Sequence, residues 1–164
     1  MSSLLIQLTL ASAMVVTTVF VHLIGLGVLV RILRARSWLP VYEHLRPITL
    51  LLGASIGIFA IHTVEIWMFA GLYLILGAAA DFEQSLYFST VTYASIGYGD
   101  VLVAKNWRIL GAIEGAAGVI MLGWSTAFLV SLLAQSKLVR HDWLSGPDEP
   151  PAHHSSGQSS SAAR

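Results

Sequence analysis

The few charges of this chain leave three long segments almost free of them. Residues 1–30 contain no Lys, Arg, Asp or Glu, residues 48–80 contain one acid, Glu65, and residues 109–135 contain one acid, Glu114. Each segment exceeds the about 20 apolar residues that a helix needs to cross a hydrocarbon core about 30 Å thick. The sequence therefore predicts three transmembrane helices.

Composition supports a membrane protein and excludes several other classes. Charged residues make up 11% of the 164 residues, whereas a soluble domain carries roughly 25%. Nine basic and nine acidic residues cancel, so the chain lacks the basic field by which many proteins bind nucleic acid. The absence of cysteine excludes disulfides and thiolate metal sites. Residues 11–13 resemble a signal-peptide cleavage site, but no basic region precedes them, so we expect the first helix to be retained.

Basic residues predict the orientation in the membrane. They cluster between the first and second segments and after the third, whereas none lies at the N-terminus: Arg31, Arg34, Arg36, Arg46, Lys137 and Arg140. Loops rich in Lys and Arg stay in the cytoplasm. We therefore expect a multi-pass protein of the cell (inner or plasma) membrane, with its N-terminus outside and its C-terminus cytoplasmic.

A fourth apolar stretch, Phe82 to Ile96, is too short to span the membrane. Asp81 before it is a suitable N-cap, and Gln84 falls at the third helical position. This pattern predicts a re-entrant helix from Phe82 to about Tyr93, which starts at the outer face and ends near the bilayer centre. Its C-terminal end carries a partial negative charge, which would stabilise a cation there.

The segment Ser95–Asp100 follows this helix, and glycine alternates with larger residues in it. Gly97 and Gly99 permit backbone angles that other residues avoid, so such a strand can direct successive carbonyls to one side. Non-helical backbone at membrane depth occurs only where it is buried in protein or lines a water-filled path. Rings of carbonyls can replace the hydration shell of a permeating cation.

Residues 92–100, Thr-Tyr-Ala-Ser-Ile-Gly-Tyr-Gly-Asp, resemble the potassium-channel pore signature T-x-x-T-V-G-Y-G-D. Residues 48–133 resemble the outer helix, pore helix, selectivity filter and inner helix of prokaryotic two-helix potassium channels. Ser95 stands in place of the usual Thr, and Ile96 in place of Val. The first helix is an addition to that pattern. The resemblance implies K⁺ sites at Ser95, Ile96, Gly97 and Tyr98, with Gly99 completing the filter.

The resemblance also implies residues that support the filter. Tyr87 and Phe88 stand where the family places an aromatic cuff around the filter tyrosine, here Tyr98. The complete set of expected supporting residues comprises Asp100, Tyr87, Phe88, Thr92, Glu114, Glu65 and His62. Gly118 and Gly123 resemble inner-helix glycines that bend, although plain helix packing, with Gly111 and Gly115, explains such glycines equally well.

These observations predict an all-α membrane protein with three transmembrane helices, a re-entrant pore helix and a selectivity-filter loop. Residues 1–47 would form the extra helix and a basic loop, 48–136 the pore domain, and 137–164 a disordered cytoplasmic tail. One chain carries one filter, so the pore requires a ring of subunits, most simply a homotetramer. Its partners would be its own copies, lipid and K⁺, with no nucleic acid and no cofactor except the permeant K⁺.

The expected function is passive, potassium-selective conduction, not enzymatic catalysis. A nonselective cation channel and a non-conducting regulatory or scaffold subunit stay open as alternatives. An intramembrane metalloenzyme is disfavoured, because His62, Glu65 and Glu114 supply too few ligands for a catalytic metal.

The ionisable residues inside the segments should face protein or water. His62 and Glu65 share a helix face, and Glu114 lies at a similar depth. We expect Glu114 to meet His62, Glu65 or the hydroxyls of Thr92 and Tyr93. It would act there either as a pH-sensitive support of the filter or as a fixed hydrogen bond. His22 is placed near the inner interface and receives no role.

Overall fold

The computed structural model describes residues 2–36 and 46–135, which form four α-helices. They are α1 (Ser2–Arg36), α2 (Arg46–Ile75), α3 (Phe82–Tyr93) and α4 (Arg108–Gln135), and the 3₁₀ turn Lys105–Trp107 leads into α4. Three of the described helices, α1, α2 and α4, are long and apolar enough to cross a membrane. The predicted all-α membrane fold is therefore confirmed. The centre of the first basic loop and the tail 137–164 lie outside the described residues.

Helix α2 ends at Ile75, five residues before the predicted end at Ala80. The N–H of Ala78 donates to the carbonyl of Tyr73 at 2.9 Å, and that of Gly77 donates to Leu74 at 3.1 Å. This pair of bonds closes a helix when the residue after the last turn adopts a left-handed conformation. Gly77 does so with φ of 60°, and it thereby ends the helix and releases the chain toward α3.

Helix α1 packs along α2 and α4, and the buried apolar residues form two clusters at the two ends of the bundle. The cluster near the loops that flank α3 comprises Ala11, Phe69, Tyr73, Ala78, Phe88, Val103 and Leu110. The other comprises Leu29, Leu33, Ala54 and Ile58. Near the first cluster, Gln7 Oε1 accepts a hydrogen bond from the N–H of Ile109 at 3.3 Å. The start of α1 therefore lies at the same end of the bundle as the start of α4.

Candidate functional site

The first turn of α3 is fixed by side chains. The Asp81 carboxylate accepts from the N–H of Gln84 at 2.8 Å, and Gln84 Oε1 accepts from the N–H of Ala80 at 2.7 Å. These bonds satisfy donors that a helix start leaves free. The predicted bounds, Phe82 to Tyr93, and the Asp81 cap are confirmed. The C-terminal end of α3, with its partial negative charge, leads directly into residues 95–100.

Residues 95–100, which we call the filter segment, have an alternating backbone. The φ angles of Ser95, Gly97 and Gly99 are 56°, 58° and 77°. Ile96 and Tyr98 between them have negative φ, since Ser95 is the only non-glycine residue of the described chain with a positive value. Positive and negative φ angles therefore alternate along residues 95–99.

The filter segment folds back onto the end of α3. The N–H groups of Ile96 and Gly97 donate to the carbonyl of Val91 at 2.8 and 3.2 Å. A Cβ at Gly97 or Gly99 would have nothing within 4 Å. Glycine is therefore favoured at these positions by the positive φ and not by lack of space within the chain. Tyr98 is 71% exposed on the single chain.

The Asp100 end of the filter segment is tied to α3 by one side-chain bond. The Tyr87 hydroxyl donates to Asp100 Oδ2 at 2.7 Å. This bond holds the pKa of Asp100 below its usual range and raises the pKa of Tyr87. Phe88, in contrast, packs edge-to-face on Tyr73 with ring centroids 5.3 Å apart. The Phe88 ring is buried among α2, α3 and α4, and its expected cuff role stays a prediction.

Helix α4 passes close to the C-terminal end of α3. A Cβ at Gly118 would lie 2.1 Å from the carbonyl oxygen of Tyr93, and one at Gly115 would lie 3.3 Å from that of Thr92. Gly123 has nothing within 4 Å. Close packing against α3 therefore explains glycine at position 118. A hinge at Gly118 or Gly123 stays a prediction.

Glu114 is fully buried where α2, α3 and α4 meet. The Tyr73 hydroxyl donates to its Oε2 at 2.6 Å, and Ser89 Oγ lies 2.5 Å from its Oε1. Ser89 Oγ also lies 2.9 Å from the carbonyl oxygen of Ile66. The expectation that Glu114 meets His62, Glu65, Thr92 or Tyr93 is wrong, because its carboxyl group contacts Tyr73 and Ser89, one turn of α3 before Tyr93.

Glu65 is the centre of a second buried network. His22 Nδ1 lies 2.9 Å from its Oε1, and His62 Nδ1 lies 2.9 Å from its Oε2. The Tyr93 hydroxyl donates to the same Oε2, and His62 Nε2 lies 2.9 Å from Ser125 Oγ. His22, to which no role was assigned, is buried fully by α1 against α2, where it contacts Glu65. This network joins the added helix α1 to the last residue of α3.

Sequence reasoning missed four residues of these networks: His22, Tyr73, Ser89 and Ser125. His22 carried a usable signal, because it is the only ionisable side chain of residues 1–30 and such groups inside a membrane are costly without a partner. The three hydroxyls carried no such signal, since serine and tyrosine are common in membrane helices for many reasons.

Comparison with known proteins gives one match. Residues 55–135 match the family model described as "Ion channel". The matched range begins within α2 and includes α3, the filter segment and α4, but not α1. No curated protein and no solved structure matches the chain.

Proposed function

The chain belongs, through residues 55–135, to an ion channel family, and from this premise we propose that it conducts K⁺ selectively through the filter segment. The observation that carries the proposal is the alternation of left-handed φ at Ser95, Gly97 and Gly99. Such a backbone offers a row of carbonyl oxygens that can replace the hydration shell of a cation. Family membership supports passive transport and not catalysis.

The surroundings of the filter segment favour a cation as the permeant species. Helix α3 ends at Tyr93 immediately before it, and a helix C-terminus stabilises positive charge nearby. Ser95 adds a hydroxyl oxygen at its inner end, and Asp100 adds a carboxylate at its outer end. In this proposal K⁺ binds at Ser95, Ile96, Gly97 and Tyr98, and Gly99 completes the strand.

A closed pore requires more than one copy of the chain. Ion-selective carbonyl cages of this kind use four loops around one axis, and the chain supplies one. The 71% exposure of Tyr98 and the 50% exposure of Ile96 fit side chains that neighbouring subunits cover. We therefore propose a homotetramer, for which native mass spectrometry in detergent should give four protomers. A stable monomer or dimer that still carries current would contradict it.

The proposed orientation places the filter segment at the outer face. Arg31 and Arg34 lie at the end of α1 that is opposite the α3 level, and basic residues favour the cytoplasm. The chain has no native cysteine, so single cysteines can report sidedness. In intact cells, a membrane-impermeant thiol reagent should label Ser2→Cys and spare Arg36→Cys. Reversed labelling would invert the topology.

The proposed function is tested by single-channel recording of the purified full chain in planar bilayers with a K⁺ gradient. Wild type should give discrete openings whose current reverses toward the K⁺ equilibrium potential. Gly97→Ala places a Cβ on a residue with positive φ, which L-residues avoid, and should abolish or degrade selectivity. Gly71→Ala is the matched control, because a Cβ there also meets open space but the residue is helical.

The alternatives predict other outcomes of the same recording. A chain that inserts and assembles but never opens would support a non-conducting regulatory or scaffold subunit. Openings without preference for K⁺ would support a nonselective cation channel. Intact selectivity in both Gly97→Ala and Gly99→Ala would show that the filter lies elsewhere.

A further inference from the structure

A buried group of metal-ligating side chains lies outside the filter segment, between α1 and α2. His22, His62 and Glu65 each place one ligand atom within 4.8 Å of the other two. His22 and Glu65 are fully buried and His62 is nearly so. We propose that these three residues form a binding site for a divalent transition-metal ion of the Zn²⁺ type.

The donor set fits that class of ion. Two imidazole nitrogens and a carboxylate oxygen suit zinc and its neighbours, whereas Ca²⁺ and Mg²⁺ favour oxygen ligands alone. A tetrahedral zinc ion with bonds of about 2.0–2.1 Å spaces its ligand atoms about 3.4 Å apart. The two histidine nitrogens now lie 2.9 Å from the Glu65 oxygens. Small side-chain rotations therefore suffice to admit the ion.

A fourth oxygen is close to the three ligands. The Tyr93 hydroxyl donates to Glu65 Oε2 and lies 3.1 Å from His62 Nδ1. It can complete a tetrahedron, or a water molecule can take the fourth position. His62 is also supported on its far side, because its Nε2 lies 2.9 Å from Ser125 Oγ. An outer partner of this kind orients a metal-binding histidine.

Two buried polar atoms next to the cluster lack partners among the described residues. They are His22 Nε2 and Thr18 Oγ1, which belong to residues one helical turn apart on α1. Buried polar atoms are almost always hydrogen-bonded. The network around His22 is therefore incomplete with the described protein groups alone, and, because Nδ1 is the nitrogen that faces Glu65, Nε2 and Thr18 Oγ1 lie beside the ion site and not within it.

A cavity of about 400 Å³ between α2, α3 and α4 reaches the cluster at His62 and Tyr93. Most of its other lining residues are apolar: Phe59, Ile66, Trp67, Leu86, Ala94 and Leu122. The ion would link α1 to α2 and compete with Tyr93 for the Glu65 carboxylate. The site would thus connect the added helix to Tyr93, the last residue of α3.

The site is tested with Co²⁺, which reports tetrahedral ligands by its visible absorption. The purified full chain, treated with EDTA and dialysed, is titrated with Co²⁺ and then with Zn²⁺. We expect one Co²⁺ per chain, an intense visible band and displacement by Zn²⁺. His22→Gln, His62→Gln and Glu65→Gln should each weaken binding at least about tenfold. The matched control is the triple variant His141→Ala/His153→Ala/His154→Ala, which removes the tail histidines and should bind as wild type does.

X-ray absorption of the Zn²⁺-loaded control variant tests the site directly, even if the variants of His22, His62 or Glu65 fail to fold. Two imidazole nitrogens and oxygen ligands around zinc would support the site. No stoichiometric Co²⁺ binding, binding that disappears with the tail histidines, or a zinc shell of oxygen alone would overturn it. None of these readouts uses ion conduction, so the site and the proposed channel function can fail separately.

Discussion

Glu65 and Glu114 are two fully buried acids that contact the same face of α3 one turn apart, at Tyr93 and Ser89, and the groups around them differ. Glu65 faces two histidine nitrogens and the Tyr93 hydroxyl. Glu114 faces the hydroxyls of Tyr73 and Ser89. An ionised carboxylate only accepts hydrogen bonds, so the first environment, in which every neighbour can donate, suits an ionised acid.

The environment of Glu114 suits a protonated acid, because Ser89 has only one hydroxyl proton to donate. Ser89 has one hydroxyl proton, and its oxygen is in reach of both Glu114 and the carbonyl oxygen of Ile66. If Ser89 donates to Ile66, its oxygen can accept from a protonated Glu114, whereas an ionised Glu114 would take the Ser89 proton and leave that carbonyl without it. The comparison indicates that the hydrogen-bond donors around a buried carboxyl group, more than burial alone, favour its ionised or its protonated form.

The largest decrease in the free energy of unfolding should come from Glu65→Gln. The variant places an amide N–H₂ group among three donors and removes the charge that they satisfy. Breaking a buried ionic network by changing one member costs about 3–5 kcal/mol, so the free energy of unfolding in detergent should fall by that order. Glu83→Gln, at an exposed acid of α3, is the matched control and should change it by less than about 1 kcal/mol. A Glu65→Gln variant as stable as the control would show that the Glu65 charge does not stabilise the fold, and would contradict the inferred difference between Glu65 and Glu114.

Glu114→Ala should have the next largest effect. It leaves the Tyr73 hydroxyl without its acceptor and opens a cavity between three helices, which together cost about 2–4 kcal/mol. Glu114→Gln should stay within about 1 kcal/mol of wild type, because its amide can donate to Ser89 and accept from Tyr73. Unfolding in detergent measures both. Equal losses in the two variants would mean that Glu114 acts as a carboxylate, as Glu65 does.

Glu114→Gln also tests whether Glu114 is a switch or a fixed hydrogen bond. If it carries its proton throughout, the variant and wild type should show the same open probability from mildly acidic to mildly basic pH. Single-channel recording measures this. A pH dependence that is present in wild type and lost in Glu114→Gln would identify Glu114 as a pH-sensitive support of the filter.

The smallest expected effect is a change in the pKa of an exposed acid, Asp100. Its pKa is held below the usual range chiefly because Tyr87 donates to it. The folded-state pKa is depressed, so the bond stabilises the fold at and above the ordinary carboxyl pKa of about 3.9 and is lost as the pH falls through the lower folded-state value. Tyr87→Phe should raise the pKa of Asp100 toward that ordinary value, as measured by NMR titration. An unchanged pKa would show that the bond is not formed in solution.

Local signals in the sequence predicted the elements around the site well. The bounds of α3 and its Asp81 cap depend on residues within one turn, and both are confirmed. The predicted end of α2 at Ala80 is wrong because Gly77 terminates the helix. A glycine after an apolar run is a common helix terminator, so the sequence signal for this end is also local.

The partners of the two acids could not be predicted, because they depend on how whole helices are rotated against one another. Depth along each helix placed Glu65 and Glu114 near the level of α3, but depth does not specify which residues of α3 each one contacts. His22 reaches Glu65 only because α1 lies against α2 in one particular register. Residue spacing within one helix carries no information about that register.

The central claim is that the filter segment selects K⁺, and bi-ionic recording tests it most directly. Purified full chain in a planar bilayer, with K⁺ on one side and Na⁺ on the other, gives the permeability ratio from the reversal potential. The account predicts a reversal potential displaced strongly in the direction set by K⁺, in wild type and in Gly71→Ala, and lost in Gly97→Ala. Reversal near zero in wild type, which means equal permeability to both ions, would contradict it.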